Sequence, residues 1–181
     1  MDGSKHAFVD ESVRAASGYM ICAVTVSSGD LSDIRRALRG LRLGGQSRIH
    51  MGKESPSRRR ALLADIGSLA VETHLFVVSK GDASDRVLRD ICLEEVGLHL
   101  PQLGVSRLVI ESCDQDKQDV QVLRGALLKV DKLRAVTYRH EKPAAEPLLW
   151  LPDMVAWAYG KGGDWQRRAK PLIAEVHRLR P

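Results

Sequence analysis

Two short β-prone runs, HAFVD (6–10) and SRLVIES (106–112), close alike on acids and serine. A strand that ends on a carboxylate is either entering an ordinary turn, which Asp and Ser suit, or holding a charge at a sheet edge for chemistry. The first run lies close to a longer one, GYMICAVTVS (18–27), rich in β-branched residues. These two suit an antiparallel hairpin with its loop at 11–17. Three later runs, ETHLFVVSK (72–80), SRLVIES and RAVTYRH (134–140), are separated by stretches of helical period. The order β-β-α-α-β-α-β-α-β-α-α predicts an α/β fold, a mixed five-stranded sheet with helices on both faces.

The helical stretches carry their own signals. Asp30 or Ser32 can cap a basic amphipathic helix over about 31–42, and GLRLGGQSR (40–48) is a Gly-rich basic loop. Ser55 caps and Pro56 opens a helix that runs to about 70. Residues 83–100 and 116–130 have apolar helical faces, and Pro101 and Gly104 end the first of them. LLWLPDMVAWAYG (148–160) is a strongly apolar helix interrupted by Asp153, and DWQRRAKPLIAEVHRLRP reads as a basic closing helix at about 164–179. The 181 residues read as a single domain, with a basic helical insertion at about 30–70.

At 44% apolar residues the chain is globular rather than disordered. No apolar run approaches a membrane span, and MDGSKHAFVDES has no basic leader followed by an apolar core. The expectation is a cytoplasmic protein without membrane contact. Cys22, Cys92 and Cys113 lie far apart with no CxxC spacing, which argues against a disulfide framework or a zinc site and for buried thiols in a reducing compartment.

The charge is segregated. Residues 35–60 hold Arg35, Arg36, Arg39, Arg42, Arg48, Lys53, Arg58, Arg59 and Arg60 against Glu54 alone, a net +8. Residues 161–181, with Arg167 and Arg168 among them, carry +4, which leaves −7 for the remainder of a chain whose net charge is +5. A plain basic surface accounts for this as well as a polyanionic partner at one face does. On the second reading these two segments hold a nucleic-acid backbone.

Three acids then need explanation. Asp10 and Glu111 end strands, and Asp153 sits among Trp150, Leu151, Met154, Val155 and Trp157, where a charge is expensive unless paired or metal-bound. If the first and fourth strands are adjacent and parallel, their ends fall on one sheet edge, and a following helix can carry Asp153 over it. Three such carboxylates stay ionised together only with a hard cation such as Mg²⁺ or Mn²⁺. The plainer alternatives are a turn residue, a solvated strand-end acid and an acid favoured by a helix N-terminus.

FVDES, GYMICAVTV, RIHMGKESPSRRRALLADI, LFVVSK, LVIES and LWLPDMVAWAY together resemble the DUF3800 family, uncharacterised and mostly prokaryotic proteins with a predicted RNase H-like fold. The resemblance runs from about 6 to 160, with its most specific motifs at the two ends. The family's Asp-Glu-Ser falls on Asp10, Glu11 and Ser12, its isoleucine-histidine step on Ile49 and His50, and its late LQLADLVA helix on LWLPDMVA, which places the aspartate on Asp153. Val13 replaces a frequent glycine and Pro152 an alanine, and neither change removes a carboxylate. The resemblance implies an RNase H-like sheet with Asp10 as the central metal ligand, Glu111 and Asp153 completing the set.

Other constellations are weaker. Glu11 is expected to hold the 11–17 loop. His50, between Ile49 and Met51, is either structural or a group that contacts phosphate or moves a proton. Asp114, Asp116 and Asp119 alternate like a calcium loop but lack its glycine and its final glutamate. They suit helix capping, with Asp114 a substitute for Glu111 at the metal. Trp150 and Trp157 read as core or dimer contacts. There is no G-x-S-x-G frame and no phosphate-binding G-x-x-x-x-G-K-[ST]. The sequence therefore favours a Mg²⁺- or Mn²⁺-dependent nuclease or related phosphoryl-transfer enzyme on DNA or RNA, with catalytic Asp10, Glu111, Asp153 and His50. The alternative is a non-catalytic nucleic-acid-binding or interaction subunit; a homodimer, or a role as the effector or partner protein of a defence system, is compatible with the enzyme as well.

Overall fold

The computed structural model describes residues 3–14, 18–79 and 81–181. Strands β1 (Lys5–Arg14) and β2 (Gly18–Ser27) form the expected antiparallel hairpin. Helices α1 (Leu31–Leu41) and α2 (Pro56–Ile66) follow, then β3 (Val71–Val78), α3 (Asp85–His99), β4 (Val105–Glu111), α4 (Asp116–Lys129), β5 (Thr137–Glu141), α5 (Trp150–Lys161), α6 (Gly163–Ala169) and β6 (Ile173–Leu179). The six strands make one mixed sheet in the order β5-β4-β1-β2-β3-β6, in which β2 runs against the other five.

The strands are apolar on both sides because both sides are covered. Phe8, Met20, Cys22, Val24, Leu75, Val77 and Val109 face a core shared with α1, α2 and α5. Their alternates Val9, Ile21, Ala23, Phe76, Val78, Leu108 and Ile110 face α3 and α4. Each fully buried aliphatic side chain here contributes about 1.5–3 kcal/mol relative to exposure. Local signals set the helix ends: Ser55 Oγ accepts from the Arg58 amide at 3.3 Å, with Pro56 in the first turn. Gly97 lets α3 lie directly on α4, since a Cβ there would stand 2.7 Å from Ala126 Cβ.

The structure corrects three expectations. The first strand does not stop at Asp10; it continues to Arg14 because β2 offers ladder partners that far, while its pairing with β4 ends at Val9↔Ile110. Residues 11–14 are therefore strand rather than loop, and 15–17 lie outside the described residues. The closing helix over 164–179 ends at Ala169. Pro171 cannot continue its hydrogen bonding, and IAEVHRL becomes β6 on the open edge of β3, a sixth strand where five were expected. No described helix is long and apolar enough to cross a membrane.

Candidate active site

Register and parity bring the first two acids together. The last parallel pair of β1 and β4 is Val9↔Ile110, so Asp10 and Glu111 are the next residue on each strand. Asp10 shares the parity of Phe8, and Glu111 that of Val109, so both lie on the face covered by α5. They are neighbours close enough for the charge of Glu111 to be felt at Asp10. The Oδ1 of Asp10 also accepts from the Glu11 amide at 2.7 Å.

Helix α5 packs across β1 and β2 and carries Asp153 in its first turn. Pro152 falls in that same turn, where its missing N–H costs no intrahelical bond. Asp153 Oδ2 accepts from the Met51 amide at 2.8 Å, and Oδ1 lies 3.3 Å from His50 Nδ1. Arg48 NH1 donates to Glu111 Oε1 at 3.2 Å. The side chains of Glu111 and Asp153 keep 24% and 19% of their surface open, enough for an ion to reach them.

The electrostatics register the crowding. Burial, then the charges of Glu111 and Asp153, push the Asp10 carboxyl well above its ordinary range. Burial also raises Glu111, against the opposing pull of Arg48. The buried Cys22 thiol behind the site is raised by burial and then by Asp10 and Asp153. Among the described residues Asp10 thus has no ion pair of its own. The three acids are not gathered at one point, however. Among the described residues the donor groups lying mutually within 4.8 Å are His74–His99–Glu175–His177 and Cys113–Asp116–Asp119. Arg48 engages Glu111, and the Met51 amide holds Asp153.

On the other side of the sheet edge lies a network that the sequence reading missed. Glu11 does not serve a loop. It accepts from Tyr19 Oη and from Arg89 NH1. Arg89 binds Asp119 through both Nε (2.8 Å) and NH2 (2.7 Å), and His140 Nε2 stands 2.9 Å from Asp119 Oδ2. Arg89 and Asp119 are almost fully buried. Burial works to raise Asp119, but the hydrogen bonds from Arg89 and His140 outweigh it and hold the carboxyl below its usual range. Cys113, Asp116 and Asp119 therefore need no metal to balance their charge. Asp119 is not the expected helix cap, and neither is Asp116, which accepts from Ser112 Oγ and the Cys113 amide to close the turn after β4. Asp114 is 78% exposed and 3.6 Å from Arg86, so it does not stand in for Glu111.

A cleft of about 520 Å³ opens beside Asp153, lined also by Ser12, His50, Arg59, Trp157 and Lys161. Asp153, Trp157 and Lys161 recur every fourth residue on one face of α5, a spacing legible in the sequence. The Arg59 guanidinium lies 4.4 Å over the Trp157 ring, with Nε donating to Met51 O at 2.8 Å. Trp150 is buried and donates to Pro143 O at 2.7 Å. The expected phosphate-binding side chains divide. Arg35 pairs with Glu146 at 2.8 Å and its charge is felt at His6, toward the opposite end of β1, so it does not face the site. Arg48 is taken by Glu111 and Arg58 by Leu41 O. Arg39, Arg42, Lys53 and Arg60 are exposed, and Arg167 and Arg168 are exposed but paired with Asp164.

Two solved structures share this architecture. Over 86% of this chain and 72% of the other, it superposes on a chain from the complex of PCNA with RNase HII of Archaeoglobus fulgidus, with TM-score 0.57 and 17% identity. Over 92% and 83% it superposes on ribonuclease H2 from Pyrococcus horikoshii, with TM-score 0.56 and 17% identity. The chain thus has an RNase H-like fold. No family model and no curated protein matches the sequence.

Proposed function

We propose that the chain is a divalent-metal-dependent nuclease, or a related phosphoryl-transfer enzyme, acting on DNA or RNA. The observation that carries this reading is the pair Asp10–Glu111 on adjacent parallel strands, with Asp153 facing it from α5 and, among the described residues, no cation paired with Asp10. The fold shared with two ribonucleases supports it, as does the basic rim of the neighbouring cleft. We also take the chain for a member of the DUF3800 family, a placement with which an RNase H-like sheet is compatible.

The donor set fits a hard ion, because all three groups offer carboxylate oxygen, the ligand Mg²⁺ and Mn²⁺ prefer. Such an ion, when bound, lowers the pKa of water and neutralises charge at a scissile phosphate. The chain's own residues do the rest. Asp10, Glu111 and Asp153 would hold the ion, whose charge would offset the burial and the neighbouring carboxylates that push the Asp10 carboxyl up. His50, oriented by its Nδ1 against Asp153 Oδ1, would use its other ring nitrogen, Nε2, to carry a proton or to meet a phosphate oxygen. Lys161 anchors the backbone from the cleft wall, beside Arg59, which adds its charge while two of its guanidinium nitrogens hold Met51 O and Gly52 O.

One observation favours a second reading, a nucleic-acid-binding module without catalysis. The acids are engaged by Arg48, His50 and the Met51 amide rather than drawn to a single point. Cleavage assays on single- and double-stranded DNA and RNA and on the hybrid, with Mg²⁺ or Mn²⁺ and an EDTA control, separate the two. An enzyme cleaves at least one substrate, and Asp10→Asn abolishes cleavage while folding and binding persist. Binding without cleavage in the parent leaves the module.

A further inference from the structure

We propose that His74, His99, His177 and Glu175 form a second metal site, one for a single transition-metal ion, Zn²⁺ by preference, that staples β6 to β3 and to the end of α3. The site is on the opposite face of the sheet from Asp10 and two strands away, and it does not depend on the nuclease reading.

Four observations carry it. The four residues each offer a donor atom, and these atoms lie mutually within 4.8 Å. Glu175 Oε2 is 3.8 Å from His99 Nε2 and 3.6 Å from His177 Nε2. A tetrahedral Zn²⁺ with bonds of about 2.0–2.1 Å spaces its donors by about 3.4 Å, so the two Glu175 contacts need shifts of a few tenths of an ångström, and no other pair needs more than about 1.4 Å.

The second observation is unspent hydrogen-bonding capacity. His74 is 5% exposed, and among the described residues neither of its ring nitrogens has a hydrogen-bond partner; the same holds for Nε2 of His99 and of His177. Buried polar atoms without partners are costly, and three imidazoles turned toward one another have no mutual arrangement that satisfies them all. A metal ion does. The rings of His99 and His177 stand 4.3 Å apart, and those of His74 and His99 5.6 Å.

Third, the backbone is shaped to present the donors. Pairing runs Thr73↔Ile173 and then His74↔Glu175, so β6 carries one extra residue, and this places Glu175 beside His74 and His177 beside Phe76. Phe76 stacks on the His177 ring at 4.5 Å and 11°, which fixes its plane. Fourth, imidazole suits Zn²⁺ and its neighbours in the transition series better than Mg²⁺. Four protein donors leave no open coordination position, so the role is structural, holding an edge strand that would otherwise fray.

The test uses full-length protein without a histidine tag, stripped of metal and titrated with Zn²⁺ against a competing chelator, with Co²⁺ as a spectroscopic probe. The expected result is one Zn²⁺ per chain, visible bands of tetrahedral Co²⁺, and a melting temperature raised by about 5–10 °C when free Zn²⁺ is about 100 times Kd. Glu175→Gln and His99→Asn change partly exposed side chains and keep the core, and each weakens binding by about 10–100-fold or more. Asp10→Asn retains the site. The proposal is overturned if the parent binds no Zn²⁺, if His99→Asn binds as the parent does, or if Asp10→Asn loses the ion.

Discussion

Asp10 and Glu11 are consecutive in β1 and point to opposite faces of the sheet. On one face Asp10 meets Glu111 and Asp153 and carries its charge badly. On the other, Glu11 meets Arg89, which also neutralises Asp119. Both faces hold several carboxylates near one strand end, and the difference is a buried guanidinium. Where the protein supplies the cation, the acids form a closed structural network. On the face of Asp10, Arg48 reaches Glu111 from a partly exposed position and His50 stands beside Asp153, while among the described residues no ion pair reaches Asp10. Compensation, not the number of acids, separates a site from a scaffold.

The largest effect should come from removing the compensation. Arg89→Met leaves Asp119 buried without its bidentate partner and is expected to cost about 3–5 kcal/mol, or roughly 6–20 °C in melting temperature. Adding Asp119→Leu should recover much of that loss. If Arg89→Met melts like the parent, a buried guanidinium is not what distinguishes the two faces.

The pH dependence of stability should differ in sign between the faces. The folded pKa of Asp119 lies below its unfolded value of about 3.9, so its contribution is present above that value and is lost as pH falls through the folded pKa. The folded pKa of Asp10 lies above the unfolded value, so the folded state holds the extra proton and stability declines as pH rises between the two. Urea unfolding from about pH 3 to about pH 8 reads both. Asp119→Asn should remove the acid-side loss, at a cost in overall stability. Asp10→Asn should flatten the decline toward neutrality and stabilise the metal-free protein by up to about 1 kcal/mol. A destabilised Asp10→Asn would make Asp10 a structural residue. The smallest effect belongs to Asp114, exposed on neither face's network: Asp114→Asn should change stability by less than about 0.5 kcal/mol and leave metal binding intact.

The candidate site was largely legible because its signals are local. Two apolar runs each break on an acid, and one acid interrupts an apolar helix; parity and register then needed only a parallel pairing of β1 and β4. The strand β6 was not legible, because Ala174, Glu175, Arg178 and Leu179 are good helix formers and only the open edge of β3 makes them a strand. The Arg89 network was hidden for a related reason. Its members come from β1, β2, α3, α4 and β5, and nothing in the sequence joins them. The basic segment was legible as charge but not as function, since Arg35, Arg48 and Arg58 spend their guanidinium groups on Glu146, Glu111 and a backbone carbonyl. A charge count does not say whether the partner lies inside or outside the protein.

The most direct test of the account is the position of Mn²⁺ in crystals of the protein, located by its anomalous scattering. The account predicts a peak bridging the carboxylates of Asp10 and Glu111, with Asp153 turned from the Met51 amide toward it, and no peak at Arg89 and Asp119. Strong Mn²⁺ density elsewhere, with Asp10 and Glu111 bare at saturating metal, would contradict it.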